Sequence, residues 1–311
     1  MDTERFIKYK DSIISECGKV IVGKDDVIKK LIICFLCSGH ILLEDVPGTG
    51  KTMLLRAFSR AVGGSFKRIQ FTPDILPSDL TGINFYDRKS GDFVFRKGPL
   101  FANIILADEI NRATPRTQSS LLEAMEERQI TVDGNSYRLD EPFLVMATQN
   151  PLESGGTFPL PEAQIDRFFM RLSMGYMSRD EELSVLMRKP GIEILPEVSQ
   201  TVTTEETNEL RRIAAEIEVS KPVAGYLMDI IEKTRRSQGS FTGVSTRGAI
   251  ALYRASQVNA AFEGRSFVIP EDIKELAVPV LAHRINASRR DSERYIRELI
   301  SSVDVPLEQM R

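Results

Sequence analysis

Residues 41–52 read ILLEDVPGTGKT, three apolar residues and an acid followed by a turn of small residues that ends in Lys51-Thr52. A short apolar run bounded by turn formers is a buried strand. From Met53 to Val62 the apolar positions fall at helical spacing, and Gly63-Gly64 ends the helix. Strand, small-residue loop and helix in that order make a seat for an anion, because the first backbone N–H groups of a helix have no partners within it. Pro47, Gly48, Thr49 and Gly50 let the backbone approach a phosphate chain, and Lys51 is placed to bridge the β and γ phosphates. Thr52 offers a hydroxyl to Mg²⁺, and Met53 completes the set expected to line a nucleotide. One position departs from the pattern G-x-x-x-x-G-K-[ST]: Asp45 stands where its first glycine would be.

Outward from this loop, Phe66 to Phe71 is extended and alternating, Ile104 to Leu106 is an apolar run ending in Asp108-Glu109, and Phe143 to Ala147 is another ending at Thr148-Gln149-Asn150. Apolar strands separated by helical stretches predict a parallel sheet covered on both faces, with ligands at the carboxyl ends of the strands. Paired acids at a strand end are what ATP hydrolysis with Mg²⁺ needs: Asp108 for the metal shell and Glu109 to polarise an attacking water. Two segments interrupt the alternation. Phe85 to Phe95, around Ser90-Gly91, and Ile130 to Leu139, around Asp133-Gly134-Asn135, read as inserted β-hairpins.

Beyond Ser173 the strand signal fades, and helical patterns begin near Glu205, Ala224, Thr246 and Pro270. Ser245 is a suitable N-cap, and Pro270-Glu271-Asp272 a strong helix start. The expected division is an α/β nucleotide-binding core with an N-terminal helix over 1–176 and a small all-helical domain over 177–311. The 311 residues carry 41 Lys and Arg against 44 Asp and Glu, a formal net charge of −3, so no global positive field draws in nucleic acid. The N-terminus lacks the apolar core of a signal peptide and no segment is long and apolar enough to span a membrane, which predicts a cytoplasmic protein. Cys34 and Cys37 sit within the apolar run LIICFLCSGHILL, where they read as fillers of a buried segment and not as half of a zinc site.

The run ADEINRATPRTQSSLLEAMEERQITVDG (107–134), followed by ATQNPLESGGTFPLPEAQIDRF (147–168), resembles the MoxR branch of AAA+ ATPases; STRGA (245–249) and VIPEDIKELAVPVLAHRI (268–285) resemble its lid. The resemblance runs from about Val22 to Ile285, and it implies a five-stranded, mainly parallel AAA+ P-loop core with a helical lid. It also implies roles for single residues. Asn150 matches sensor 1, Arg247 matches sensor 2 in contact with nucleotide, and Arg167 matches the arginine finger, with Arg171, Arg112 and Arg116 as alternatives. Val22-Gly23 stands where relatives hold adenine, although a plain turn explains it equally well.

By the same resemblance the active form is a ring, expected to be a hexamer, that remodels or matures partner complexes, often with von Willebrand factor A domain proteins. Three rivals fit the same fold: a low-turnover nucleotide switch, a nucleic-acid-remodelling motor and a magnesium-chelatase-type subunit. An intact Glu109 argues against the first. The acidic balance, with no Lys/Arg cluster expected at either hairpin tip, argues against the second.

Overall fold

The computed structural model describes residues 3–45, 48–149, 156–187, 195–236 and 243–306. Two amphipathic helices, α1 (Glu4–Gly18) and α2 (Asp25–Leu36), precede β1 (Ile41–Glu44), α3 (Lys51–Ala61) and β2 (Phe66–Gln70). A short α4 (Pro77–Thr81) leads into the hairpin β3 (Gly82–Asp87) and β4 (Asp92–Lys97). Then follow β5 (Ile104–Asp108), α5 (Pro115–Glu127), the second hairpin β6 (Gln129–Val132) and β7 (Asn135–Arg138), β8 (Leu144–Gln149), α6 (Glu162–Ile165) and β9 (Met170–Leu172). The remainder is helical: α7 (Arg179–Leu186), α8 (Thr204–Ala214), α9 (Lys221–Arg236), α10 (Thr246–Phe262), α11 (Pro270–Leu281) and α12 (Arg289–Ser301).

The five-stranded sheet has the order β2-β5-β8-β1-β9 and is parallel throughout. Its three inner strands are buried on both faces, which is why their sequences run apolar without alternation. The fifth strand gave no separate signal in the sequence. Arg171 sits at its centre, and its guanidinium is kept inside by Glu44 at 3.6 Å and the Ser292 hydroxyl at 3.1 Å.

Both hairpins form where the turn residues place them, with Phe85 opposite Val94, Tyr86 opposite Phe93 and Ile130 opposite Tyr137. They brace each other: Phe95 stacks on Tyr137 with ring centroids 4.3 Å apart, and Asn84 donates to Asp133 at 2.7 Å. Phe95 is thus a packing residue, whereas Phe93 is three-quarters exposed and meets only Tyr86 edge-on among the aromatic rings. The β3–β4 turn does carry Arg88 and Lys89, contrary to the expectation of a tip without a basic pair, but Asp87 and Asp92 flank and balance them.

One apolar cluster joins one face of the sheet to α1, α2, α3 and the helices after Leu195; a second lies under the other face with α5, Phe143 and Phe168. Tyr9 of α1 shares a 2.8 Å hydrogen bond with Thr207 of α8, which ties the N-terminal helix to a C-terminal one. Ser245 caps α10 by accepting from the Gly248 N–H at 3.2 Å, and Pro270 opens α11, as their sequences predict. Helices α7 and α12 were not legible: α7 buries no residue, and α12 buries only Ser292, Ile296 and Leu299 on an otherwise charged surface. Among the described residues no helix is long and apolar enough to cross a membrane.

Candidate nucleotide site

At the carboxyl ends of β1, β5 and β8 lies a cleft of about 440 Å³ lined by Gly48 to Met53, Asp108, Glu109 and Thr148. Gly48 and Gly50 have φ of +85° and +86°. A Cβ on Gly48 would meet open space, so glycine is required there by backbone conformation and not by crowding. Gly50 is the N-cap of α3 and Lys51 its first residue, which points the free N–H groups of the first turn into the cleft. The Lys51 ammonium donates to the Asp45 carbonyl at 3.2 Å. Pro47 and Asn150 lie outside the described residues.

Asp45, the departure from the usual loop pattern, is a buried strut. Its carboxylate accepts from the Ser173 hydroxyl at 2.7 Å, from the Gly175 N–H at 3.2 Å and from the Met174 N–H. The start of the phosphate loop is therefore tied to the segment that leaves β9 for the helical half. Val22 and Gly23 adjoin this loop through Ile21, whose Cδ1 lies 3.6 Å from where a Gly50 Cβ would stand. Gly23 itself is covered by the Glu181 carboxylate of α7.

The paired carboxylates are held by four side chains, of which Arg68 and Gln70 were not singled out by the sequence. Arg68 of β2 donates to Asp108 Oδ2 at 2.6 and 3.2 Å, and the Thr148 hydroxyl donates to Oδ1 at 2.7 Å. Gln70 donates to Glu109 Oε2 at 2.8 Å, and Arg112 to the same oxygen at 3.1 Å. Glu109 adopts the left-handed conformation, φ +58°, fixed by a 2.8 Å bond from its own N–H to the Thr148 hydroxyl. Strand β2 pairs with β5 so that Gln70 is opposite Asp108, and the two-residue period puts Arg68 on the same side.

The family model for the ATPase family associated with various cellular activities matches residues 40–170, and that for the AAA lid domain matches residues 232–302. Protein YeaC of Bacillus subtilis is 45% identical over 95% of this chain and 94% of its own length. Chaperone MoxR1 of Mycobacterium tuberculosis is 40% identical over 88% of this chain and 74% of its own. The chain belongs to the MoxR family of AAA+ ATPases. A crystal structure from Cytophaga hutchinsonii superposes with a TM-score of 0.89 at 39% identity, covering 98% of both chains.

In this MoxR-family chain the remaining arginines gather elsewhere. Arg167 and Arg247 are absent from the lining of the phosphate cleft and meet each other across Glu126: Arg167 Nε lies 3.3 Å from one carboxylate oxygen, and Arg247 Nη2 donates to the other. Arg247 Nη1 also lies 3.6 Å from Asp166, which the buried Arg284 engages as well. Arg247, which its motif matches to sensor 2, is placed by the packing of α10 against Glu126 and Asp166. Of the alternatives for the finger, Arg171 is buried with Glu44, and Arg112 is engaged by Glu109 of its own chain. Arg116 is exposed on the first turn of α5.

Proposed function

We propose that this chain binds ATP with Mg²⁺, hydrolyses the γ-phosphate in a homo-oligomeric ring of six copies, and uses turnover to remodel or mature partner protein complexes in the cytoplasm. The observation that carries the proposal is the separation of two half-sites. Lys51, Thr52, Asp108 and Glu109 share one cleft, while Arg167 and Arg247 share a carboxylate beyond it. The Arg167 ion pair uses Nε, which leaves the terminal fork for a phosphate on an adjoining copy.

Each residue then has a task. Lys51 exchanges the Asp45 carbonyl for the β and γ phosphates. Thr52 and Asp108 would hold Mg²⁺, an oxygen set that suits this ion, and Arg68 holds Asp108 Oδ2 in its absence. When bound, the ion neutralises charge on the phosphate oxygens. Glu109, released from Gln70 and Arg112, orients the attacking water, and Asn150 matches sensor 1 by motif. The segment 177–311 acts as the lid, linked to the loop through Asp45, and Val22-Gly23 borders the base. Clients or adaptors, von Willebrand factor A domain proteins among them, would engage the exposed Tyr86 and Phe93 of the first hairpin.

The test is complementation. Arg167→Ala alone should bind ATP normally and lose hydrolysis by a factor on the order of 10³ to 10⁵. Mixed with Glu109→Gln, it should regain part of the activity, because some interfaces then pair an intact Glu109 with an intact Arg167. Turnover independent of protein concentration, with no rescue on mixing, would reject the ring mechanism.

A further inference from the structure

Helix α7 buries none of its residues, yet one of its side chains reaches back to the turn before α2. A Cβ on Gly23 would lie 1.7 Å from Glu181 Oε1 and 2.2 Å from its Cδ, so the carboxylate rests directly on the Gly23 backbone. Gly23 has φ +68°, and glycine is needed there for conformation as well as for this approach. The segment before α7 is fastened to the same turn: the buried Lys24 donates from Nζ to the Tyr176 carbonyl at 2.9 Å. Two apolar tips, Ile21 Cδ1 and Met174 Cε, flank the place where a Gly50 Cβ would stand, at 3.6 and 3.9 Å. The turn and the segment thus form two walls at the edge of the phosphate loop, with the Glu181 carboxylate set between them.

The two oxygens of that carboxylate have different tasks. Oε2 accepts the Ser178 N–H at 2.6 Å and closes the capping box of α7, while Oε1 is the atom nearest to Gly23. The Ser178 N–H first, then the Ser178 side chain, with the Lys24 charge in support, hold the carboxyl below its usual range, so Oε1 is an acceptor at neutral pH. We propose that Glu181 selects the base of the nucleotide, its Oε1 accepting from the exocyclic amino group of adenine and rejecting a keto oxygen at the same ring position. The proposal rests on the reading that Val22-Gly23 borders the base and Lys51 the phosphates. An amino group at C6 brings a donor to a charged acceptor, whereas a keto oxygen there sets two acceptors against each other. The N1–H of a keto purine reaches Oε1 only with its keto oxygen alongside. Bidentate pairing with the N1–H and 2-amino group of guanine takes both carboxylate oxygens, and Oε2 is committed to the cap.

The experiment titrates the full chain with the Mg²⁺ complexes of ADP and IDP by calorimetry. The two nucleotides differ in carrying an amino group or a keto oxygen at C6, and neither has a γ-phosphate to lose. The wild type should bind ADP about tenfold more tightly than IDP, the size of one charge-assisted hydrogen bond. In Glu181→Gln the amide carbonyl keeps the cap on Ser178 and turns an amino donor towards Gly23. ADP should then weaken and IDP tighten, bringing the ratio to about one or below. Glu182→Gln, at the exposed neighbouring position of α7, should leave the ratio as it is in the wild type. Because α7 buries no residue, neither change touches the core. A preference for ADP that is lost in Glu181→Gln and kept in Glu182→Gln supports the assignment. No preference in the wild type overturns it, and so does an unchanged ratio in Glu181→Gln, whether both affinities hold, rise or fall together. Lys51→Ala separates the two readings. If the ratio shifts in Glu181→Gln while Lys51→Ala leaves both affinities as they were, the base contact stands and the phosphate-loop assignment falls.

Discussion

The two ends of the central sheet are built on opposite plans. At the carboxyl ends, charges of both signs are interleaved: Lys51 and Arg68 stand among Asp45, Asp108 and Glu109, and every carboxylate is held by hydrogen bonds. At the amino ends, guanidinium groups are crowded around Glu126. The first plan can exchange internal partners for a metal and a phosphate chain at little electrostatic cost. The second gathers its arginines about two carboxylates, Glu126 and Asp166.

The comparison breaks most severely at Glu109. Glu109→Gln keeps the shape and the contact with Arg112 but removes the carboxylate. Hydrolysis should fall by roughly 10²- to 10⁴-fold with ATP binding retained, as read by phosphate release and by a fluorescent nucleotide titration. Unchanged turnover would mean that the water is oriented by another group. Lys51→Ala should act at the other step: affinity for ATP should drop about 100-fold through loss of one charged donor shared by two phosphates. Wild-type affinity in that variant would remove the cleft as the nucleotide site.

These first two residues were legible because their chemistry is contiguous in the chain. The phosphate loop and the acid pair each lie within a few residues, and the strand before each is apolar because it is buried on both faces. Arg68 and Gln70 were not, because their role comes from the register of β2 against β5, a long-range fact. Arg247 matches sensor 2 by its motif, whereas its contact with Glu126 comes from where α10 packs, which the shared core of the N-terminal and C-terminal helices decides. Asp45 looked like a blemish in a motif until the chain segment at 173–175 came back to meet it.

Asp45→Gly sharpens that last point, since it restores the usual first glycine of the loop while deleting the strut. The Ser173 hydroxyl and the Met174 N–H would lose their acceptor, at a cost of about 1–3 kcal/mol. The midpoint of thermal unfolding should fall by several degrees with ATP affinity changed little. A variant as stable as the wild type, or one that binds ATP much more tightly, would show that Asp45 constrains the loop and does not support the segment beyond β9.

The smallest effect concerns how the amino end tolerates its positive charge, and it turns on His40. This imidazole precedes β1 and is buried, accepting the Val145 N–H on Nδ1 at 3.0 Å while Nε2 donates to the Met125 carbonyl at 3.0 Å. Both nitrogens are engaged in the neutral form. Burial first, and then the nearby Arg128 charge, lower its pKa to about 3. In the unfolded chain the ring titrates near 6.5. Between these values the unfolded state binds the proton and the folded state does not, so stability is full above about pH 6.5 and falls as pH drops towards 3. The slope approaches ~1.4 kcal/mol per pH unit for one proton. His283, the other histidine, is also depressed by burial and adds in the same direction. His40→Gln cannot take up the proton: it should be less stable at pH 7 yet lose less on going to pH 5, as measured by urea unfolding at both pH values. An unchanged pH slope in that variant would mean that His40 is not the group that keeps the arginine-rich end from gaining a further charge.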